Sequence, residues 1–151
     1  MDQVPEILFV DDNPGDSELV EEAFRQYEVP VRFHKVSTGP QALAFLSQRS
    51  GSGEALPDLV LLDVNLPAMN GHQVLERIRA DPALADIAVI MLSTSELPRD
   101  IAASERLKAD SYVIKPVNWD EYLVLVRSFE QRIAAKREQP LQAPPKLPGL
   151  D

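Results

Sequence analysis

Four short stretches of this chain are apolar without a break: Ile7-Leu8-Phe9-Val10, Leu59-Val60-Leu61-Leu62, Ala88-Val89-Ile90-Met91-Leu92 and Tyr112-Val113-Ile114. A strand exposed on one face alternates polar and apolar positions. An unbroken apolar run is the pattern of a parallel strand covered on both faces. A weaker segment, Val31-Arg32-Phe33-His34-Lys35-Val36, mixes the two kinds of residue, as an edge strand does.

Helical periodicity fills the intervals. Asn13 is placed to cap a first helix, with Pro14 at its first position and Asp16 in its first turn. Leu19, Val20, Ala23, Phe24 and Tyr27 then recur at helical spacing. Pro40 opens a second helix carrying Ala42, Leu43, Phe45 and Leu46. Gly71 to Ala80 predicts a third, with Val74, Leu75 and Ile78 inward, and Pro98 to about Ala109 a weaker fourth. Asn118 followed by Glu121 is capping-box chemistry for a fifth.

A strand–helix pair repeated five times predicts right-handed crossovers and an open, doubly wound parallel sheet with helices on both faces. Ser47 to Pro57, with its Ser-Gly-Ser-Gly, reads as a flexible loop. From Gln139 onward, four prolines in thirteen residues predict a tail without packed structure. The expected organisation is one domain over residues 1–138 and a Pro-rich tail over 139–151. No second domain and no repeat is expected.

Composition narrows the class. An apolar fraction of 44% supports a sizeable core. No apolar run approaches the ~18–20 residues of a membrane span. The start, Met-Asp-Gln-Val-Pro-Glu, lacks the basic flank and apolar stretch of a secretory signal. Cysteine is absent, which excludes disulfides and thiolate metal sites. A cytoplasmic protein fits best. The net charge of −9 argues against a nucleic-acid partner. Eight carboxylates lie between Asp2 and Glu22, and the first basic side chain is Arg25.

Acids also sit where strands end. Asp11 and Asp12 close the first strand and Asp63 the third. Open α/β sheets bind ligands outside the carboxyl ends of their strands, where the strand order reverses. A single acid at such a place can simply cap a helix or face solvent. Three converging there repel one another and call for raised pKa values or a bound cation. Magnesium suits that donor set, because Mg2+ takes one or two carboxylates and keeps waters for phosphate oxygens. Ser93 ends the fourth strand and Lys115 the fifth, just before Pro116. A hydroxyl and an ammonium there can each take one oxygen of a phosphoryl group, with Asp63 as the nucleophile.

Phe9-Val10-Asp11-Asp12-Asn13, Leu61-Leu62-Asp63-Val64-Asn65-Leu66-Pro67, Met91-Leu92-Ser93-Thr94-Ser95 and Ile114-Lys115-Pro116 together resemble the four signatures of two-component response-regulator receivers, in order and spacing, over about residues 6–135. The resemblance implies a flavodoxin-like five-stranded sheet of order 2-1-3-4-5. It implies Asp63 as phosphoacceptor, Asp12 as a direct metal ligand and Asp11 as one acting through water. The Asn65 backbone carbonyl completes the metal set. Ser93 and Lys115 are implied to contact the phosphoryl oxygens, Tyr112 to be the aromatic switch residue, and the Lys115–Pro116 bond to be cis.

A narrower likeness, in Asn13-Pro14-Gly15-Asp16, the long loop before the third strand and Ser93-Thr94-Ser95-Glu96, is to the small receivers partnered with bacterial and cyanobacterial phytochromes. That group often has threonine where Ser93 stands, and it lacks the Pro-rich tail. The function implied is a signalling switch, not an enzyme, that takes a phosphoryl group from a sensor histidine kinase and acts through protein contacts.

Two other classes share part of this pattern. Magnesium-dependent phosphohydrolases also place an Asp nucleophile after a strand, but carry a second acid two residues on, where this chain has Asn65. A flavodoxin-like electron carrier needs a Ser/Thr-rich phosphate loop, where this chain has Asp11-Asp12-Asn13-Pro14-Gly15-Asp16. His34 and His72 lack ligand spacing and read as ordinary side chains. Pro144-Pro145-Lys146-Leu147-Pro148 reads as an unrecognised end of the chain rather than a polyproline ligand. In the fifth helix, Trp119, Tyr122, Leu123, Leu125, Val126, Phe129 and Ile133 cover an arc of ~160° at ~100° per residue. That apolar excess predicts a homodimer through the fourth helix, fifth strand and fifth helix.

Overall fold

The computed structural model describes residues 4–138. Five strands and five helices alternate: β1 (Glu6–Val10), α1 (Pro14–Gln26), β2 (Arg32–Val36), α2 (Gly39–Ser52), β3 (Leu59–Leu62), α3 (Gly71–Ala80), β4 (Val89–Ser93), α4 (Pro98–Arg106), β5 (Ser111–Ile114) and α5 (Trp119–Glu138). All pairings are parallel and the strand order is β2-β1-β3-β4-β5. The order reverses between β1 and β3, the two strands that run into acids.

The unbroken apolar runs follow from burial on both faces. Ile7, Phe9, Leu59, Leu61, Ile90 and Leu92 face α1 and α5, where they meet Val20, Phe24, Val126 and Phe129. Leu8, Val10, Val60, Leu62, Val89 and Met91 face the other way, onto Ala42, Leu46, Val74, Leu75 and Ile78 of α2 and α3. Each such side chain gains ~1.5–3 kcal/mol from leaving water, so the two layers supply the main driving force.

The caps work as expected where they touch the site. Asn13 accepts from the Gly15 N–H (2.9 Å) ahead of Pro14. Asn118 accepts from the Glu121 N–H (2.9 Å), while the Glu121 carboxylate reaches the Val117 N–H (3.2 Å).

Four expectations need correction. The loop expected over 47–57 is mostly helix: α2 runs to Ser52 and stops at Gly53, whose φ of 79° is the left-handed conformation. Arg49 secures that last turn, donating to the Glu6 carboxylate and to the Ala55 carbonyl, both at 2.8 Å. The run Tyr112-Val113-Ile114 is a half-buried edge strand, because nothing pairs beyond β5 among the described residues.

The apolar stripe of α5 is mostly consumed inside the molecule. Tyr122, Leu125, Val126, Phe129 and Ile133 are buried, since α5 lies deep against β1, β3 and α1. Around β5, α5 and the start of α4, the apolar groups left outside are Val117 and Val124, at 89% and 70% exposure, with Ile114, Trp119 and Leu97 partly so. The Lys115–Pro116 bond is trans, as are all peptide bonds among the described residues. Trans is the lower state of an X–Pro bond by ~0.5–1 kcal/mol, and Lys115 makes its contacts without leaving it.

Among the described residues no helix is long and apolar enough to cross a membrane. The tail expected over 139–151 lies outside them.

Candidate functional site

The parallel ladder carries the acids to one place. One residue past β1, the Asp11 N–H donates to the Val36 carbonyl (3.1 Å), and one past β3 the Asp63 N–H donates to the Val10 carbonyl (3.0 Å). Both acids therefore hang from rigid backbone at the strand mouth, each buried to within a few per cent. Asp12 next door is exposed. One oxygen from each of Asp11, Asp12 and Asp63 lies within 4.8 Å of the others, a set able to hold a metal ion. Three hard oxygens with an open, water-facing side fit a small divalent cation rather than a soft one.

The last residue of β4, Ser93, is fully buried, and its carbonyl accepts from the Lys115 N–H (2.8 Å). That bond aims the Lys115 side chain back across the sheet. Its ammonium donates to Asp11 Oδ2 (2.8 Å), Asp16 Oδ2 (2.6 Å) and Asp63 Oδ2 (2.9 Å). Lysine has three N–H donors, and these bonds use all of them. Burial disfavours the ammonium, but the hydrogen bonds to Asp11, Asp16 and Asp63 outweigh it and raise the lysine above its ordinary value. Burial likewise pushes the Asp11 carboxyl up, with the Asp63 charge adding, against the pull of Lys115 and the Asn13 N–H. Four carboxylates against one ammonium leave the pocket anionic, which suits a cation.

The other expected residues fall around this centre. Exposed Asn65 donates its N–H to Asp63 Oδ1 (3.1 Å), fixing the carboxylate from behind. The Ser93 hydroxyl accepts from the Ser95 N–H (3.1 Å). Half-buried Tyr112 sends its hydroxyl to the Ser95 carbonyl (2.8 Å), so the two meet through Ser95 rather than directly.

Several contributors were not singled out from sequence. In sequence Asp16 is a first-turn acid and part of the loop after the first strand, with nothing to tie it to Lys115. A helical side chain points back toward the helix N-terminus, and α1 starts at the strand mouth, which puts Asp16 on Lys115. Gly71 opens α3 with its N–H on the Val64 carbonyl (2.8 Å), directly against the Asp63 backbone. Ala68, at φ 68°, bends the intervening loop at a backbone cost that an L residue rarely accepts.

Ser95 and Asp100, which are hydrogen-bonded, tie the β4–α4 loop to α4. His72 holds α4 to α3 through the Asp100 carbonyl (3.1 Å) and the Ser104 hydroxyl (3.0 Å). A carbonyl only accepts and Ser104 itself donates to it, so Nε2 of His72 carries the proton. His34 lies against the Phe45 ring and close to Glu6, away from the strand mouth.

The family model of the response regulator receiver domain matches residues 7–127. Response regulator Rcp1 of a Synechocystis species is 34% identical over 82% of this chain and 85% of its own length. The crystal structure of the phosphorylated cyanobacterial phytochrome response regulator RcpA shares 35% identity, with a TM-score of 0.79 over 89% of this chain and 96% of that one. The Mn(2+)-bound form of Rcp1 shares 31% identity, with a TM-score of 0.74 over 95% and 99%. With a family model over most of the chain and a shared fold and strand order, this chain belongs to the family as a response regulator receiver domain.

Proposed function

We propose that this receiver is a phosphoryl-accepting switch in which Asp63 is the acceptor and a phosphohistidine of a sensor histidine kinase is the donor. The observation that carries the proposal is the Lys115 ammonium, 2.9 Å from Asp63 Oδ2 within the Asp11–Asp12–Asp63 group. An oxygen of Asp63 attacks phosphorus, a P–O bond forms and the P–N bond to the donor imidazole breaks, its electron pair leaving with the imidazole. Lys115 neutralises one phosphoryl oxygen and the Ser93 hydroxyl can turn to another. Asp12 and Asp63 would bind Mg2+ directly, Asp11 through water, and Asn65 through its backbone carbonyl. A magnesium ion held there would lower the mutual repulsion of the carboxylates and offset charge on the phosphoryl group.

Withdrawal of Ser93 from the Ser95 N–H would disturb the loop that Tyr112 and Asp100 hold, and so bias α4 and β5. The readout is altered protein binding rather than catalysis, and a cytoplasmic setting is part of the proposal. Likeness to the phytochrome response regulator RcpA supports a phytochrome as the kinase. Residues 1–138 are assigned as the functional receiver and 139–151 as an extension to it.

The test is Mg2+-dependent transfer from acetyl phosphate, with the modified carboxylate mapped by mass spectrometry. Labelling confined to Asp63 and abolished by EDTA is expected. Labelling that is indifferent to EDTA would remove the metal from the mechanism.

A homodimer is proposed through the face where Ile114, Val117 and Val124 remain exposed. A two-fold axis would let that patch cover itself. Sedimentation at micromolar protein is expected to give a dimer that Val124→Glu converts to monomer, without loss of stability because Val124 is outside the core. A monomeric parent protein, phosphorylated or not, contradicts the dimer; a dimer untouched by Val124→Glu places the contact elsewhere.

A further inference from the structure

Of the three carboxylates on the Lys115 ammonium, two belong to the acceptor and metal group, and Asp16 does not. The Asp16 contact is nevertheless the shortest of the three, at 2.6 Å. Its carboxylate comes from the third residue of α1, a turn fixed by the Asn13 cap, by Pro14 and by the Ser17 hydroxyl on the Pro14 carbonyl (3.1 Å). Asp16 is therefore held on rigid backbone beside the site, at 21% side-chain exposure, with its charge directed at one atom.

The reaction proposed above withdraws the other two partners. When an oxygen of Asp63 bonds to phosphorus, the carboxylate loses its negative charge and its hold on Lys115. Asp11, once turned to a cation, shares its charge with it. Lysine is a long, freely rotating side chain, so an ammonium without a fixed partner spends less time where a phosphoryl oxygen needs it. A charge-assisted hydrogen bond to a carboxylate that takes no part in the chemistry removes that loss.

We propose that Asp16 is a positioning residue for phosphoryl transfer, holding the Lys115 ammonium at the strand mouth while Asp63 and Asp11 change partners. This rests on the assignment of Asp63 as acceptor. Asp16 touches neither phosphorus nor metal in this scheme and acts only through Lys115.

The experiment is a double-mutant cycle on the full chain. Asp16→Ala and Asp16→Glu are made in the parent protein and in Lys115→Ala, with acetyl phosphate as donor and Mg2+ affinity measured separately. Asp16→Ala is expected to slow labelling of Asp63 about tenfold, the scale of one charge-assisted hydrogen bond. Mg2+ affinity should stay within about twofold, since Asp16 lies outside the metal group, and Asp16→Glu should restore part of the rate. In the Lys115→Ala background, removing Asp16 should change nothing further.

Equal rates with and without Asp16 overturn the proposal. So does an equal loss in both backgrounds, which assigns Asp16 a role in folding or in the general field, and so does a fall in Mg2+ affinity that accounts for the rate. Failure of the parent protein to label Asp63 at all overturns the acceptor assignment itself, a result separable from the others.

Discussion

Asp63→Asn is expected to abolish phosphorylation by acetyl phosphate or by a kinase while leaving the fold intact. The amide has the shape of the carboxylate, and its one oxygen keeps one of the two contacts that hold Asp63 in place, on Lys115 or on the Asn65 N–H, while its NH2 faces the other donor. It cannot form an acyl phosphate, because its single oxygen is a neutral, weakly nucleophilic amide oxygen in place of the carboxylate that attacks phosphorus. The substitution also removes one of several like charges crowded at the strand mouth, which offsets the weakened contacts to Lys115 and Asn65, so thermal stability should stay within about 1 kcal/mol of the parent. Intact-mass analysis reads the first outcome and thermal unfolding the second. Undiminished labelling mapped to another side chain would end the acceptor assignment.

Gly71→Ala is expected to damage stability and site together. A methyl group there would stand 2.1 Å from the Asp63 carbonyl oxygen and 2.9 Å from both the Asp63 carbonyl carbon and the Val64 Cα. All three are backbone, which cannot swing aside like the end of a long side chain. Either α3 backs away, opening the contacts of Val74 and Leu75 with the sheet, or the turn carrying Asp63 moves. Overpacking of this kind costs ~1–3 kcal/mol, and more where backbone must yield. Urea unfolding should show a lowered midpoint, and the residual folded protein should label slowly because Asp63 no longer sits on Lys115.

Gly51→Ala is the control. Nothing lies within 4 Å of a methyl group there, and it sits in a helix. It should stabilise by about 0.5–1 kcal/mol through the greater helix propensity of alanine. A Gly71→Ala protein as stable as its parent would mean that α3 does not press on the strand end.

By itself the sequence determined the alternation of five strands and five helices and the assignment of acids to strand ends. Unbroken apolar runs and 3.6-residue periodicity are local patterns, and the covering of a strand on both faces is written in the strand itself. The caps at Asn13 and Asn118 were legible for the same reason, since a capping side chain bonds within three residues of its own position. So were Asp11, Asp12, Asp63, Ser93 and Lys115 as a group, because parallel strands deliver their ends to one edge.

The tertiary structure alone decided which groups are shared and which surfaces are left over. That Asp16 reaches Lys115, 99 positions away, depends on how α1 leaves the sheet. That the stripe of α5 is mostly core depends on how deeply α5 lies against β1 and β3, and an arc on a helical wheel cannot measure depth. Ser50 to Ser52 belong to α2, with Gly53 ending it, where Arg49 is held by Glu6 on a strand 43 residues earlier. Local free energies of a few tenths of a kcal/mol set the elements, and long-range contacts worth more decide where each one ends and which side chains meet.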